Sequence, residues 1–221
     1  MGISENLSGS FSYATDGLVG KWTKWIILII GTLIFPIIMG YQLRVLKGAV
    51  PAPEADDVVG MFIDGIKMII INIVYQIIPC IIGLIVLVLT GGFGALTMSG
   101  MDVGDQGAFM GLLLGSMAVA FIVYMIFAFI FGLFEIIGMV RFARTGSMGE
   151  AFAFSEILEK IGSIGWVSYI LALIVIGIVM MVIYFILMVI PFIGWLLIIV
   201  LAPLLATVIS RYQSNLYDSA A

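Results

Sequence analysis

Residues 161–210 read IGSIGWVSYILALIVIGIVMMVIYFILMVIPFIGWLLIIVLAPLLATVIS, and no Asp, Glu, Lys or Arg occurs among them. A single helix of that length would run about 75 Å, against a hydrocarbon layer of roughly 30 Å. The segment must therefore turn back on itself. Pro191, followed closely by Gly194, marks the place, because both residue types interrupt helices. Two spans are expected, over 167–190 and 192–209, joined by a tight turn.

Composition carries the same reading to the whole chain of 221 residues, of which 63% are hydrophobic and 10% charged. A soluble domain has about 25% charged residues, and a small water-borne fold has too much surface to hide this much hydrocarbon. Three further apolar runs lie toward the N-terminus, at 25–41, 68–89 and 109–134. The 68–89 run is long enough for ~33 Å of helix, and the 109–134 run is expected to tilt. The first run is shorter and contains Gly31 and Pro36. Trp22 and Trp25 suit one membrane interface and Tyr41 the other. Bases flank both of its ends, so a re-entrant hairpin stands beside a full crossing as the alternative. Residues 1–20 read as a polar leader, frayed or lying on the surface, and 213–221 as a polar tail. Residues 21–212 then form one transmembrane domain. No cleavable signal peptide is evident.

Between the spans lie two chemically mixed passages. In RFARTGSMGEAFAFSEI (141–157), Ser147 and Glu150 have the spacing of a capping box, in which each side chain satisfies a free N–H at a helix start. After them, Phe154, Ile157, Leu158 and Ile161 fall on one helical face. A helix over 148–161 can lie in the headgroup plane with its apolar side down; the alternative is that it extends the next span into water. Val59, Phe62, Ile63 and Ile66 repeat the spacing in an expected amphipathic helix over 56–66. That helix also follows a basic pair, Arg44 and Lys47, as the second follows Arg141 and Arg144. The order of span, basic turn, amphipathic helix and span suggests a weak internal repeat. The expected fold class is thus all-α: a polytopic transmembrane helix bundle with two interfacial amphipathic helices.

The distribution of bases sets the threading. The loop after the second run carries Asp102 and Asp105 and no base, whereas its neighbours carry Arg44, Lys47, Lys67, Arg141, Arg144 and Lys160. The basic loops are expected in the cytoplasm and the Asp102/Asp105 loop outside. The side of the N-terminus depends on whether 25–41 crosses.

Chemistry is sparse. There is no histidine, which removes the commonest general base near neutral pH and the imidazole metal ligands. The single cysteine, Cys80, cannot form an intrachain disulfide and reads as a small buried hydrophobe. The 14 methionines read as packing. No basic stripe interleaved with aromatics points to nucleic acid, and no phosphate loop is matched. Glu54, Asp56, Asp57 and Asp64 lack calcium-loop spacing and suit a helix start. No metal site, cofactor or catalytic set is therefore expected. Gly111, Gly115 and Ala118 line one side of the third run and suit close helix crossing.

Two groups of polar residues remain as candidates. Glu135, with Asn72 and Gln76, forms a candidate intramembrane or interfacial polar site: an ionisable residue at that depth is a functional hypothesis. The structural alternative pairs Glu135 with Arg141 or Arg144 at the interface, and leaves Asn72, Tyr75 and Gln76 to bond neighbouring helices. Arg44, Lys47, Arg141 and Arg144 are candidate contacts for anionic lipid headgroups.

The two mixed passages, GYQLRVLKGA…PAPEADDVVGMFIDGIK (40–67) and RFARTGSMGEAFAFSEI, resemble the domain-of-unknown-function 4013 family, small multi-helix membrane proteins found largely in archaea. The resemblance runs from about Trp22 to Tyr212 and is specific in these passages rather than in the spans. Where the family's element usually has an aromatic between Pro53 and Asp57, this chain has Ala55. The resemblance implies a multi-pass protein of the cell membrane and assigns no catalytic or transport role. The functional expectation is a non-enzymatic structural or partner-binding membrane component, contacting lipids and a second copy or another membrane protein. A small oligomeric transporter or channel subunit is the alternative.

Overall fold

The computed structural model describes residues 2–92 and 106–219, and every described element is helical. The Asp102/Asp105 loop lies outside the described residues. The elements are α1 (Ile3–Leu18), α2 (Trp22–Leu33), α3 (Phe35–Leu46), α4 (Val58–Leu87, continued by a wider turn over Val88–Gly92), α5 (Gln106–Thr145), a single 3₁₀ turn (Met148–Phe152), α6 (Phe154–Ile164), α7 (Trp166–Val189) and α8 (Gly194–Asp218). Four of them, α4, α5, α7 and α8, are long and apolar enough to cross a membrane. By contact the chain divides into two units, residues 1–71 with 136–221, and residues 72–135.

In the first unit the charge-free 161–210 stretch turns back as expected. Ile190–Ile193 form the turn between α7 and α8; Phe192 takes a positive φ of 62° there and is 92% exposed. Tyr212 on α8 donates its hydroxyl to the Ala172 carbonyl of α7 at 2.9 Å. α8 continues to Asp218, and Ser210 and Ser214 are buried along it. Residues 213–218 are therefore part of a packed helix rather than a polar tail.

The N-terminal residues are not a frayed leader. α1 is a 16-residue helix that buries Asn6, Ser10, Ala14 and Leu18 along one face. Its packing against α8 is polar at one end: Asn6 donates to the Tyr212 carbonyl at 3.2 Å, and Asn215 donates to Asn6 Oδ1 at 2.9 Å. Small and polar residues replace the usual apolar stripe because they let the two backbones approach closely, as in helix crossings within lipid.

The single span expected over 25–41 is not formed. The run is broken at Ile34 into two 12-residue helices, α2 and α3, each only ~18 Å long. Pro36 stands in the first turn of α3, where its missing N–H costs nothing. The chain doubles back there, bringing Lys24 to 5.7 Å from the centre of the Tyr41 ring. A straight helix would hold those residues roughly 25 Å apart. Leu33, Ile34 and Phe35 are exposed at the tip. A helical hairpin thus takes the place of a straight crossing helix, and α1 lies against the C-terminal part of α8.

The two amphipathic stripes end in different places. Residues 58–66 are not a separate helix but the opening turns of α4, a continuous 30-residue helix. Val59, Phe62, Ile63 and Ile66 all face outward from it, whereas Met61 and Met68 are buried. Gly40 and Gly65 permit the approach of α3: a Cβ on Gly40 would collide with the Met61 carbonyl, and one on Gly65 with that of Pro36. The second stripe does occupy its own helix, α6, closed by Gly165 at φ 92°. Ile157 and Ile161 face inward there, and Phe154 and Leu158 outward. The expected capping box is absent: Ser147 makes no side-chain cap, and Glu150 pairs with Arg141 instead. The order of span, basic turn, amphipathic helix and span is thus present in the second half alone; the first has a hairpin, a basic turn and one continuous helix.

In the second unit, α4 from Asn72 and α5 up to Glu135 run antiparallel. Gly83 lies opposite Tyr124, and Gly91 opposite Leu112 and Ser116. α4 passes through Pro79 without a break. Cys80, expected to be buried, is exposed. No atom lies within 4 Å of a Cβ built on Gly111 or Gly115, so their stripe makes no close crossing with a described residue.

Gly40→Val is expected to lower stability by about 1–3 kcal/mol through overpacking, read as thermal unfolding in detergent, while Gly111→Val leaves it unchanged. On a Cys80→Ser background, cysteines at Ser8 and Asp218 are expected to react with an impermeant thiol reagent from the same side of sealed vesicles; opposite sides would restore a crossing by 25–41.

Candidate functional site

Arg44 donates to the Glu54 and Asp57 carbonyls at 3.3 and 3.1 Å and to the Asp57 carboxylate at 3.0 Å, and lies 3.5 Å from Asp56. Asp57 in turn accepts the Gly60 N–H at 2.9 Å, capping α4. Arg141 pairs with Glu150 and lies 3.6 Å from Glu156. Arg144 joins three helices: it donates to the Leu46 carbonyl at the end of α3 at 3.1 Å, and to Ser214 and Asp218 of α8 at 2.9 and 2.7 Å. Three of the four expected headgroup contacts are thus engaged within the protein. Lys47 alone is exposed without an ion pair among the described residues. Arg211 and Lys160 rest on the rings of Tyr13 and Tyr217, at 4.6 and 4.4 Å.

The polar candidates named from sequence do converge. Within the 72–135 unit, Asn72 Nδ2 donates to Glu135 Oε1 at 2.6 Å, and Gln76 Nε2 to Glu135 Oε2 at 3.5 Å. One helical turn separates the two amides on α4, so both can face one carboxylate on α5. Tyr124 extends the chain by donating its hydroxyl to Gln76 Oε1 at 3.5 Å. Tyr124 was not anticipated, although it precedes Glu135 by three helical turns and therefore shares its face. Tyr75 is buried nearby on α4.

The pairing of Glu135 with Arg141 or Arg144 does not occur, because both guanidiniums are taken by other acids. Among the described residues Glu135 makes no ion pair. Asn72 and Glu135 lie beyond the last bases of their helices, Lys67 and Arg141, by roughly 8–9 Å of axial rise. Asn72 is exposed and Glu135 half-buried, with Ile73, Val74 and Phe129 exposed beside them. The result is a carboxylate held by two neutral amide groups inside apolar, span-forming sequence, on a helix pair that covers little of its own surface. Such an arrangement can accept hydrogen bonds or a positive charge from outside the chain. Among the described residues no three His, Cys, Asp or Glu side chains converge on a metal-sized space.

Comparison with known proteins finds one relation. No curated protein and no solved structure matches the chain. A family model described as "Protein of unknown function (DUF4013)" matches residues 25–192, from the base of the α2–α3 hairpin to the turn between α7 and α8. That match covers both mixed passages and the Asn72, Gln76 and Glu135 cluster; with four helices long and apolar enough to cross a membrane, the chain fits an integral membrane protein, and it belongs to the DUF4013 family of unknown function.

Proposed function

We propose that the protein is a non-enzymatic component of the cell membrane that binds a second membrane protein laterally through its 72–135 unit. One observation carries this reading: Glu135, Asn72 and Gln76 form a hydrogen-bonded group on helices that otherwise expose apolar side chains. Polar groups at such depth are expensive when they face lipid alone, and interhelical hydrogen bonds are among the forces that join helices in a bilayer. The partner supported by this chemistry offers donors or a positive charge at the depth of Glu135. The chain's own Lys and Arg all lie at span ends or in connections, so a second copy would not supply that charge. The basic end is read as cytoplasmic.

A transporter or channel subunit is the second reading, favoured by the extension of the cluster through Gln76 to Tyr124. It requires a path for the cargo, which an outward-facing pair of helices does not itself provide.

A photo-crosslinking residue at Ile73 or Phe129 is expected to capture one discrete membrane protein in native membranes. Glu135→Ala with Asn72→Ala should reduce the adduct about tenfold, equivalent to roughly 1.4 kcal/mol. An undiminished adduct would place recognition elsewhere. Proton-coupled flux in liposomes that disappears in Glu135→Gln would favour the transporter.

A further inference from the structure

The α2–α3 hairpin creates a second polar locality, separate from Glu135 and independent of the function proposed above. Its break at Ile34 carries Lys24 into the interior, where the side chain is only 5% exposed. Around the ammonium lie the Tyr41 ring, with its centroid at 5.7 Å, the Ala52 carbonyl, which accepts a bond at 3.4 Å, and Glu54 Oε1 at 3.8 Å. Lys21 approaches the same Glu54 oxygen at 3.9 Å. Two cations therefore share one carboxylate, and both distances exceed those of a good charged hydrogen bond, about 2.7–2.9 Å. The neighbouring Asp56 lies 3.5 Å from Arg44. Asp57 draws the same guanidinium closer, at 3.0 Å, so the locality is balanced in formal charge, and its cations Lys21 and Lys24 are held only loosely by Glu54.

These side chains line a cavity of about 520 Å³, together with Trp22, Thr23, Ile27 and Ala55, a volume ordinary for small-molecule sites. The cavity also sits at the start of α2. That helix has no side-chain cap, and its first backbone donor is Trp25, whose N–H bonds the Lys21 carbonyl at 3.0 Å. The N–H groups of Trp22, Thr23 and Lys24 have no acceptor among the described residues and are the free donors of a helix N-terminus, where anions are favoured. Trp22 is 67% exposed and stacked on Trp25 at 5.9 Å, as suits the headgroup level of a membrane. From it an exposed apolar strip of Ile26, Ile30 and Leu33 descends toward the tip of the hairpin.

We infer that this cavity binds the phosphate of a membrane phospholipid, received by Lys24, Lys21 and the first amides of α2, with an acyl chain along Ile26, Ile30 and Leu33. The apolar strip singles out a lipid over free phosphate, which has nothing to place there. Glu54 and Asp56 oppose the anion, and their side chains, 61% and 82% exposed, have room to withdraw into solvent. Burial pushes the pKa of Lys24 below the ordinary lysine value, with Glu54 pulling it back up; an anion in the cavity would act in the same sense as Glu54.

The test is native mass spectrometry of the delipidated full-length protein titrated with phosphatidylglycerol. One retained lipid is expected, weakened about tenfold in Lys24→Gln and in the exposed Lys21→Gln, and tightened in Glu54→Gln. Tightening on loss of a carboxylate is an outcome that damage to the fold would not produce. Retention unchanged in both lysine variants would overturn the assignment, as would weakening in Glu54→Gln. Displacement of the lipid by millimolar inorganic phosphate, with phosphate retained in its place, would overturn the lipid in favour of a free anion.

Discussion

Hydrocarbon offers no partner to a backbone N–H or carbonyl, and this absence governs the molecule. Any stretch that enters it must satisfy its own backbone, which in an open chain means a helix. Charged groups are driven to the ends of those helices, where they can be solvated or paired. None of the 9 Lys and Arg residues lies within the long apolar runs, and most of them are used again as internal ties. Arg44 gathers the acidic passage before α4, Arg141 fastens the turn after α5, and Arg144 joins α3, α5 and α8. The ends of the helices are thus held by ion pairs and hydrogen bonds, while their shafts present side chains to lipid.

What could be read from sequence follows from the same constraint. The charge-free stretch of 161–210 had to fold at Pro191, and it does. The polar trio of Asn72, Gln76 and Glu135 could be named as a candidate because each is conspicuous in apolar surroundings. Their mutual contact was not deducible, since it depends on the register of α4 against α5. The N-terminal helix was hidden for the opposite reason. Its buried face is Asn6, Ser10 and Ala14, residue types that in isolation read as solvent-facing or structureless, and their burial is legible only once α8 is opposite. Ser210 and Ser214 disguise the end of α8 in the same way.

The arginines expose a further limit. A base at a membrane interface has the same sequence signature whether it meets a lipid phosphate or a carboxylate of its own chain. Only the path of the chain places Asp57, Glu150 and Asp218 within reach, which makes structural ties of Arg44, Arg141 and Arg144. The failed capping box at Ser147 has the same cause, because the guanidinium of Arg141 is a stronger attraction for Glu150 than a single backbone N–H. Lys24 shows the reverse. It is one of the bases flanking the first apolar run, and the fold of the hairpin takes it inside.

The half-depth reach of α2 and α3 affects the lipid as well as the protein. Two helices of ~18 Å, ending in exposed Leu33, Ile34 and Phe35, are each shorter than the roughly 30 Å hydrocarbon layer, so a hairpin seated tip-first in a bilayer would displace acyl chains from one leaflet. The work of seating it would then be set by the lateral pressure of that leaflet. Curvature or chain unsaturation that loosens packing there would lower this work, whereas a tightly ordered leaflet would raise it.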